Sequence, residues 1–259
     1  MFQIWRAMCH AGAVTDAADA AAPSAARSAR ARVRAELRAE ILAAAHQELA
    51  VSGPAGLSLR AVARRLGMVP SALYRYFTSR DALLTALIVE AYGSVGQAAS
   101  SADRRAAGGA PIDRWLAVAA AVRAWAHAHP QQWALVYGSP VPGYRAPEDT
   151  VEPALGISRV VAGIVADAHP PGTPVPAHLP VAPPGMGAAT SPVVDALLPG
   201  RPPEVAVAAV VAWTQLLGMV SLELFGHFVG ATEDFDAVFV YAMRTTAAVT
   251  GIGWRGGIG

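Results

Sequence analysis

Residues 59–77 constrain the fold more than any other part of the chain, because they combine two short helical patterns with a tight turn. The first pattern is an apolar stripe at helical spacing, formed by Leu59, Val62, Ala63 and Leu66. Gly67 can adopt the left-handed conformation that ends a helix, and Pro70 suits the first position of the next helix. The tract therefore predicts a helix-turn-helix.

The polar residues of this tract lie where they could contact a DNA duplex. Arg60 and Arg64 are predicted to lie opposite the apolar stripe, while Leu73 and Phe77 face inward. The second helix would bring its leading end to the major groove, where small side chains could touch base edges, namely Pro70, Ser71 and Ala72. Phosphates are within reach of three longer side chains, Tyr74, Tyr76 and Arg80.

The charge distribution supports a module that binds a polyanion. Residues 27–80 contain ten arginines and three glutamates, a formal charge of +7, although the whole chain has a net charge of only +1. A basic block on a mildly acidic remainder is typical of a local nucleic-acid contact.

Residues 66–84 resemble the signature of TetR/AcrR regulators, in which a Leu-Gly-Val-Ser turn leads to Leu-Tyr-x-x-Phe and then to Lys-x-x-Leu-Leu. The resemblance covers residues 33–84. It implies that bases are contacted by Arg60, Pro70, Ser71, Ala72 and Tyr74, and that phosphates are contacted by Ser58, Tyr76 and Arg80. Two positions depart from the pattern: Val69 replaces a capping Ser or Thr, and Arg80 replaces the common Lys.

The rest of the chain predicts an all-α protein with two domains. Residues 1–27 are interpreted as a disordered tail, residues 28–80 as a three-helix DNA-binding domain, and residues 81–252 as a larger ligand-binding and dimerisation domain. Eleven prolines fall between residues 170 and 203, so this stretch is predicted to be a mobile loop without helix. The family resemblance implies that residues 204–229 and 234–250 pack across a two-fold axis in a homodimer.

Residues 204–229 are apolar nearly all round, which favours burial against a partner subunit. An alternative remains open, because residues 205–222 contain no charge and reach the lower limit for a membrane helix. Three polar residues interrupt the stretch, and no second such span exists, so we expect no membrane contact and a cytoplasmic protein.

The resemblance places an effector pocket among the middle helices. Candidate lining residues are aromatic or apolar, with three polar anchors: Trp115, Trp125, Trp133, Tyr137, Trp213 and Leu217, with Gln132, Thr214 and Gln215. The alternative is that these aromatic side chains only form the core. Two segments also resemble the C-terminal pattern of an actinobacterial TetR subgroup, residues 137–140 and 213–226.

We expect no cofactor, no catalytic residues and no metal. Glu223 and His227 are four residues apart on one predicted helix, which is possible ligand spacing, but hydrogen bonding or solvation is the simpler interpretation. The sequence lacks a Gly-x-Ser-x-Gly elbow and a phosphate-binding glycine loop. The main hypothesis is a ligand-responsive repressor on a palindromic operator; the rival is a helical small-molecule-binding protein or enzyme whose N-terminal module is only structural.

Overall fold

The computed structural model describes residues 25–253, and all regular structure within this range is helical. Eleven α-helices follow one another in this part of the chain, and their bounds are as follows: α1 Ala25–Gly56, α2 Leu59–Arg65, α3 Pro70–Leu73, α4 Arg80–Arg105, α5 Pro111–Ala128, α6 Pro130–Tyr137, α7 Val151–Ala154, α8 Gly156–Ala168, α9 Met186–Leu197, α10 Pro203–Leu224 and α11 Phe235–Val249. A single 3-10 turn, Glu148–Thr150, precedes α7. The prediction of an all-α fold is confirmed.

The first three helices form a small bundle on the start of α4. Gly53 interrupts α1 with non-helical angles, φ 66° and ψ 175°, just before Pro54. The predicted turn after α2 is confirmed, since Gly67 has a φ of 66° that side chains with a Cβ rarely adopt. Leu73 and Phe77 are buried as expected, and α3 packs against α2.

Helix α4 connects this bundle with the larger part of the chain. Ser79 caps it, because its hydroxyl oxygen accepts a hydrogen bond from the amide of Ala82 at 3.0 Å. Helix α4 packs against α5, α6, α7 and α8, so it is the central helix of the structure. Where α4 crosses α8 the backbones touch: a Cβ at Gly96 would lie 3.1 Å from the Cα of Gly156.

Two half-buried arginines of α5 link this helix to its neighbours through ion pairs. The guanidinium of Arg114 donates to both carboxylate oxygens of Asp103, at 2.7 and 3.0 Å, and also to Asp167. Near the other end of α5, Arg123 donates to both oxygens of Glu223 and to Asp236. Hydrogen bonds from these arginines to the carboxylates raise the pKa of both guanidinium groups. The pairs tie α5 to α4, α8, α10 and the start of α11.

The prediction that residues 170–203 contain no helix is wrong, because α9 lies within them. Only one of the eleven prolines, Pro192, falls inside the helix, while the others lie before Gly185 or after Leu197. Pro192 cannot donate to the carbonyl of Ala188, and the hydroxyl of Ser191 donates to it instead at 3.1 Å. Helix α9 is then held by packing against α10. The prediction used the mean proline content of residues 170–203 and so missed the proline-poor segment that forms α9.

Two other boundaries differ from the expectations. The predicted tail, residues 1–27, lies outside the described residues except for its last three, which begin α1. The first of the two long helices predicted at the end of the chain, over residues 204–229, ends at Leu224, and residues 225–231 form turns with Gly226 at a φ of 77°. Helices α4 and α10 are long and apolar enough to cross a membrane by length and composition, but 50% and 44% of their most apolar windows are buried in this fold.

Candidate nucleic-acid interface

Helices α2 and α3 place the candidate DNA contacts on one exposed surface. Val62 and Leu73 are fully buried and form the inner side of the two helices. The opposite side exposes Arg60, Arg64, Ser71 and Tyr74, and we call these four residues the reading face. Tyr74 is 48% exposed, which is unusual for an aromatic side chain in a chain with so large a core. The reading face is therefore open to a partner.

The positive charge of this surface is not neutralised within the described chain. No described carboxylate lies within ion-pair distance of Arg60 or Arg64. Their neighbour Arg65 differs, because it donates to the carboxylate of Glu48 on α1 at 3.1 Å and so braces the bundle. Two exposed guanidinium groups without a described carboxylate partner favour contact with a phosphate backbone.

The leading end of α3 is well suited to close approach. Pro70 and Ser71 are exposed and Ala72 is half-buried, so no long side chain blocks this end. Val69 precedes α3 with extended backbone angles and makes no side-chain cap, as its residue type predicted. The helix is short, and turns at residues 74–76 continue it as far as Phe77. This geometry presents small side chains and backbone to the floor of a groove.

Two predicted phosphate contacts have other partners in the structure. The hydroxyl oxygen of Ser58 accepts the amide hydrogen of Ala61 at 3.2 Å and caps α2. Arg80 donates from Nε to the carbonyl of Leu57 at 3.0 Å and from Nη2 to the carbonyl of Pro54 at 2.7 Å. Arg80 thus closes the loop between α1 and α2 onto the start of α4. Its geometry is that of a positioning residue, which residue type alone could not indicate.

Tyr76 is half-buried beside the reading face rather than on it. The guanidinium carbon of Arg34 lies 5.8 Å from the centre of its ring, and that of Arg38 lies 4.9 Å from the ring of Phe77. Helix α1 therefore runs alongside the segment that follows α3 and contributes arginines to the same basic surface. These arginines were absent from the predicted contacts, because only the tertiary packing brings α1 there.

The candidate effector residues do not form one site in the structure. Some of the aromatic residues form a cluster, while the other candidates lie apart from it. Trp133 and Tyr137 lie 4.5 Å apart between ring centres, and Tyr92 meets Tyr137 edge-on at 5.7 Å. The indole of Trp125 donates to Ser94, and that of Trp133 donates to Ser221. These groups pack where α4, α5, α6 and α10 meet. Burial raises the pKa of Tyr137 well above its usual value, and Gln132 is half-buried on the same short helix.

The other candidates lie elsewhere. Trp115 is fully buried and donates to the carbonyl of Met243 on α11 at 2.8 Å. Thr214 and Gln215, expected as polar anchors, are exposed on α10, and the hydroxyl of Thr214 donates to Val210 of its own helix. On the inner side of α10, Leu217 is buried and Trp213 is half-buried, with an indole N–H that has no acceptor among the described residues.

Of the possible metal ligands, Glu223 is engaged in an ion pair with Arg123. Glu223 accepts hydrogen bonds from Arg123, and His127 approaches its Oε1 at 2.9 Å, while His227 is exposed. The ring of His129 stacks on Trp125, with centres 4.8 Å apart. Among residues 25–253, no three histidine, cysteine or acidic side chains are grouped so that they could hold a metal ion.

An exposed helix-turn-helix with unpaired arginines, mounted on a larger helical domain, defines a DNA-binding regulator. Known proteins agree with this class. Residues 41–87 match the model described as "Bacterial regulatory proteins, tetR family", and residues 115–246 match "Tetracyclin repressor-like, C-terminal domain". The chain therefore belongs to the TetR family of transcriptional regulators.

Individual relatives support the assignment. The HTH-type transcriptional regulator Rv1816 of Mycobacterium tuberculosis is 38% identical over 213 residues, which span 81% of this chain and 89% of the relative. The crystal structure of the regulatory protein SCO4313 is similar with a TM-score of 0.70 and 34% identity, over 85% of this chain and 98% of that one. A protein of unknown function from Rhodococcus sp. RHA1 matches with a TM-score of 0.59 and 26% identity, over 81% and 93% of the two chains.

Proposed function

We propose that this regulator is a cytoplasmic repressor that binds a palindromic operator as a homodimer and is released by a small apolar molecule. The observation that carries the proposal is the reading face, where Arg60 and Arg64 are exposed without a described carboxylate partner and the leading end of α3 is also exposed. Such a surface supplies charge for the duplex backbone and small side chains for base edges. In a symmetric dimer the two copies of α3 would enter successive major grooves about 34–36 Å apart.

The last two helices support dimer formation. Several large apolar side chains are exposed on α10, on the turn that follows it and on α11. We call five of them the apolar face: Val211, Leu222, Phe225, Val238 and Tyr241. Each is at least 40% exposed in the single chain, and Tyr241 is 74% exposed. A concentration of exposed apolar side chains is typical of a protein contact surface. In a dimer with a two-fold axis, the apolar face of each subunit would cover the apolar face of the other.

The aromatic cluster between α4, α5, α6 and α10 is the proposed effector site. Its side chains are mainly apolar, and the indole N–H groups of Trp125 and Trp133 and the hydroxyl of Tyr92 already have partners inside the chain. An apolar effector would separate the rings rather than compete for these hydrogen bonds.

Helix α4 is the proposed path between effector and operator. It begins at Arg80, which holds the loop before α2, and it carries Tyr92 and Ser94 of the aromatic cluster. The contact between Gly96 and Gly156 lets α4 cross α8 backbone to backbone, so the crossing could serve as a pivot. An effector would act through its different affinities for two tilts of α4, and coupling of this kind is commonly about 1–3 kcal/mol.

Selection of bound fragments from random duplex DNA tests the proposal. The unaltered protein should enrich a palindrome with two half-sites one duplex turn apart. Arg60→Ala and Tyr74→Ala should each weaken binding of the selected duplex by about ten- to a hundredfold, because each removes a contact of the reading face. Arg105→Ala, at an exposed position at the far end of α4, is the matched control and should bind normally. Enrichment of no sequence, or normal binding by both variants, would refute the proposed role of the reading face.

A further inference from the structure

An open groove of about 440 Å³ lies between the first part of α1 and the segment that follows α3. Its lining consists of three arginines, one aliphatic residue and one aromatic residue: Arg30, Val33, Arg34, Arg75 and Tyr76. We call this surface the flanking groove. Effector pockets are typically enclosed and largely apolar, whereas the flanking groove is open and basic. Its chemistry fits an extended polyanion.

The three cations of the flanking groove are available to a partner. No described carboxylate lies within ion-pair distance of Arg30, Arg34 or Arg75. Arg32 is different although it lies between two of them in sequence, because it pairs with Glu36 one turn further along the helix at 3.8 Å. The ring of Tyr76 orients the side chain of Arg34, whose guanidinium carbon lies 5.8 Å from the centre of that ring. A planar guanidinium held in this way matches the oxygens of a phosphate.

The position of the flanking groove identifies the polyanion. Arg75 and Tyr76 directly follow Tyr74, the last residue of the reading face. A duplex that contacts the reading face would therefore continue past the mouth of the groove. We infer that the flanking groove binds the sugar-phosphate backbone of the operator beyond the base pairs read by α3, so that α1 lengthens the DNA site. This inference rests on the proposed binding of an operator, and it adds a second contact surface to it.

A comparison of short and long duplexes tests the inference. The probes are duplexes that the unaltered protein recovers from a random library, trimmed to the palindromic core or extended by several arbitrary base pairs on each side. Arg34→Ala and Arg75→Ala should each bind the extended duplex about tenfold more weakly, yet bind the core almost normally. On the extended duplex, the slope of log affinity against log salt should become shallower for each variant by about two per dimer. The reason is that one phosphate contact is lost at each half-site.

Arg32→Ala is the matched control, because it removes the same charge from the same stretch of α1 but from a residue paired with Glu36. It should behave like the unaltered protein on both duplexes. Ethylation interference then locates the contact: a flanking phosphate whose ethylation weakens binding of the unaltered protein should cease to matter for Arg34→Ala. Arg30→Ala provides a second variant on the α1 wall, and circular dichroism checks that each protein is folded.

The inference is overturned if Arg34→Ala and Arg75→Ala bind both duplexes as Arg32→Ala does, with unchanged salt slopes and the same interfering phosphates. Equal losses on core and extended duplexes would also overturn it, because the arginines would then support the reading face rather than bind flanking backbone. Recovery of no duplex by the unaltered protein is a separate result, and it would remove the operator proposal itself.

Discussion

The reading face and the apolar face are both exposed in the single chain, yet they have opposite chemistry. The reading face presents arginines without described carboxylate partners around a short helix, while the apolar face presents valine, leucine, phenylalanine and tyrosine side chains on two long helices. Charged side chains are readily solvated, so the reading face can remain uncovered until DNA arrives. Apolar side chains gain free energy when they leave water, about 25 cal/mol per Å², so a permanent partner is expected on the apolar face.

Because of this difference, DNA binding at the reading face and subunit contact at the apolar face should respond differently to salt. Contacts to DNA phosphates release counterions and weaken steeply as salt rises. Burial of apolar surface between two subunits lacks that dependence. The regulator should therefore lose its operator at high salt and still remain a dimer.

Disruption of the apolar face is expected to have the largest effect. Tyr241→Glu would place a carboxylate in the proposed dimer contact, where a buried unpaired charge is strongly unfavourable. Sedimentation should show monomers at micromolar concentration. Operator affinity should fall by about a hundredfold or more, because one half-site alone cannot replace bivalent binding.

Ala107→Glu is the control for charge, since it adds a carboxylate at an exposed turn after α4. It should leave the protein dimeric and bound to DNA. A dimeric Tyr241→Glu protein with normal operator affinity would show that the apolar face is not the subunit contact.

A substitution of Arg80 tests whether this residue contacts DNA or only positions the loop before α2. Arg80→Gln removes the charge and the two strong hydrogen bonds to the carbonyls of Pro54 and Leu57. Hydrogen bonds from charged groups contribute about 1.5–3 kcal/mol each, and solvent exposure of the guanidinium reduces this. Denaturant unfolding should show a loss of about 1–3 kcal/mol, and DNA binding should weaken with little change in its salt slope.

Arg64→Ala supplies the contrast, because Arg64 is exposed and belongs to the reading face. It should leave the unfolding free energy within about 0.5 kcal/mol of the unaltered value and reduce the salt slope instead. If Arg80→Gln reduced the salt slope and spared stability, Arg80 would be a phosphate contact, as the family resemblance implied.

Local contacts explain why the helix-turn-helix could be predicted from the sequence. The stripe of α2, the positive φ of Gly67 and the inward Leu73 and Phe77 all depend on residues near one another in the chain. The partners of Arg80 and the flanking groove depend on loops and helices that are distant in sequence. Residue type showed that Arg80 and Arg34 are cations, but it could not show which atoms they meet.

Composition was a weaker guide in the larger half. Helix α10 is so uniformly apolar that its sequence could not show which side faces the core, and Thr214 and Gln215 proved to lie on the exposed side. Helix α9 shows the opposite difficulty, because prolines on either side concealed a helical segment. In both cases packing against neighbouring helices decides the outcome, and a single sequence contains little information about it.

The buried tyrosines give the smallest expected effect and test whether the aromatic cluster is closed to water, in contrast with the two open faces. The hydroxyl of Tyr92 donates to the carbonyl of Val136 at 3.1 Å. Burial, and to a lesser degree Tyr144, raise the pKa of Tyr92 to about 12. Below pH 10 the phenol is neutral whether the chain is folded or unfolded, so the unfolding free energy does not change with pH through this group. Between pH 10 and 12 the unfolded chain releases the proton while the folded chain keeps it, and the unfolding free energy should fall.

Tyr92→Phe should therefore lower the unfolding free energy by about 1 kcal/mol at pH 8, through loss of the hydrogen bond to Val136. The same variant should lose less stability than the unaltered protein between pH 8 and 11, because one titrating phenol is gone. Tyr74→Phe, which removes the hydroxyl of an exposed tyrosine on the reading face, serves as the matched control, and denaturant unfolding at both pH values is the measurement. Equal alkaline losses for the unaltered protein and Tyr92→Phe would mean that water reaches the cluster in the folded state. The effector would then enter a site that is already open, and separation of the rings would not be required.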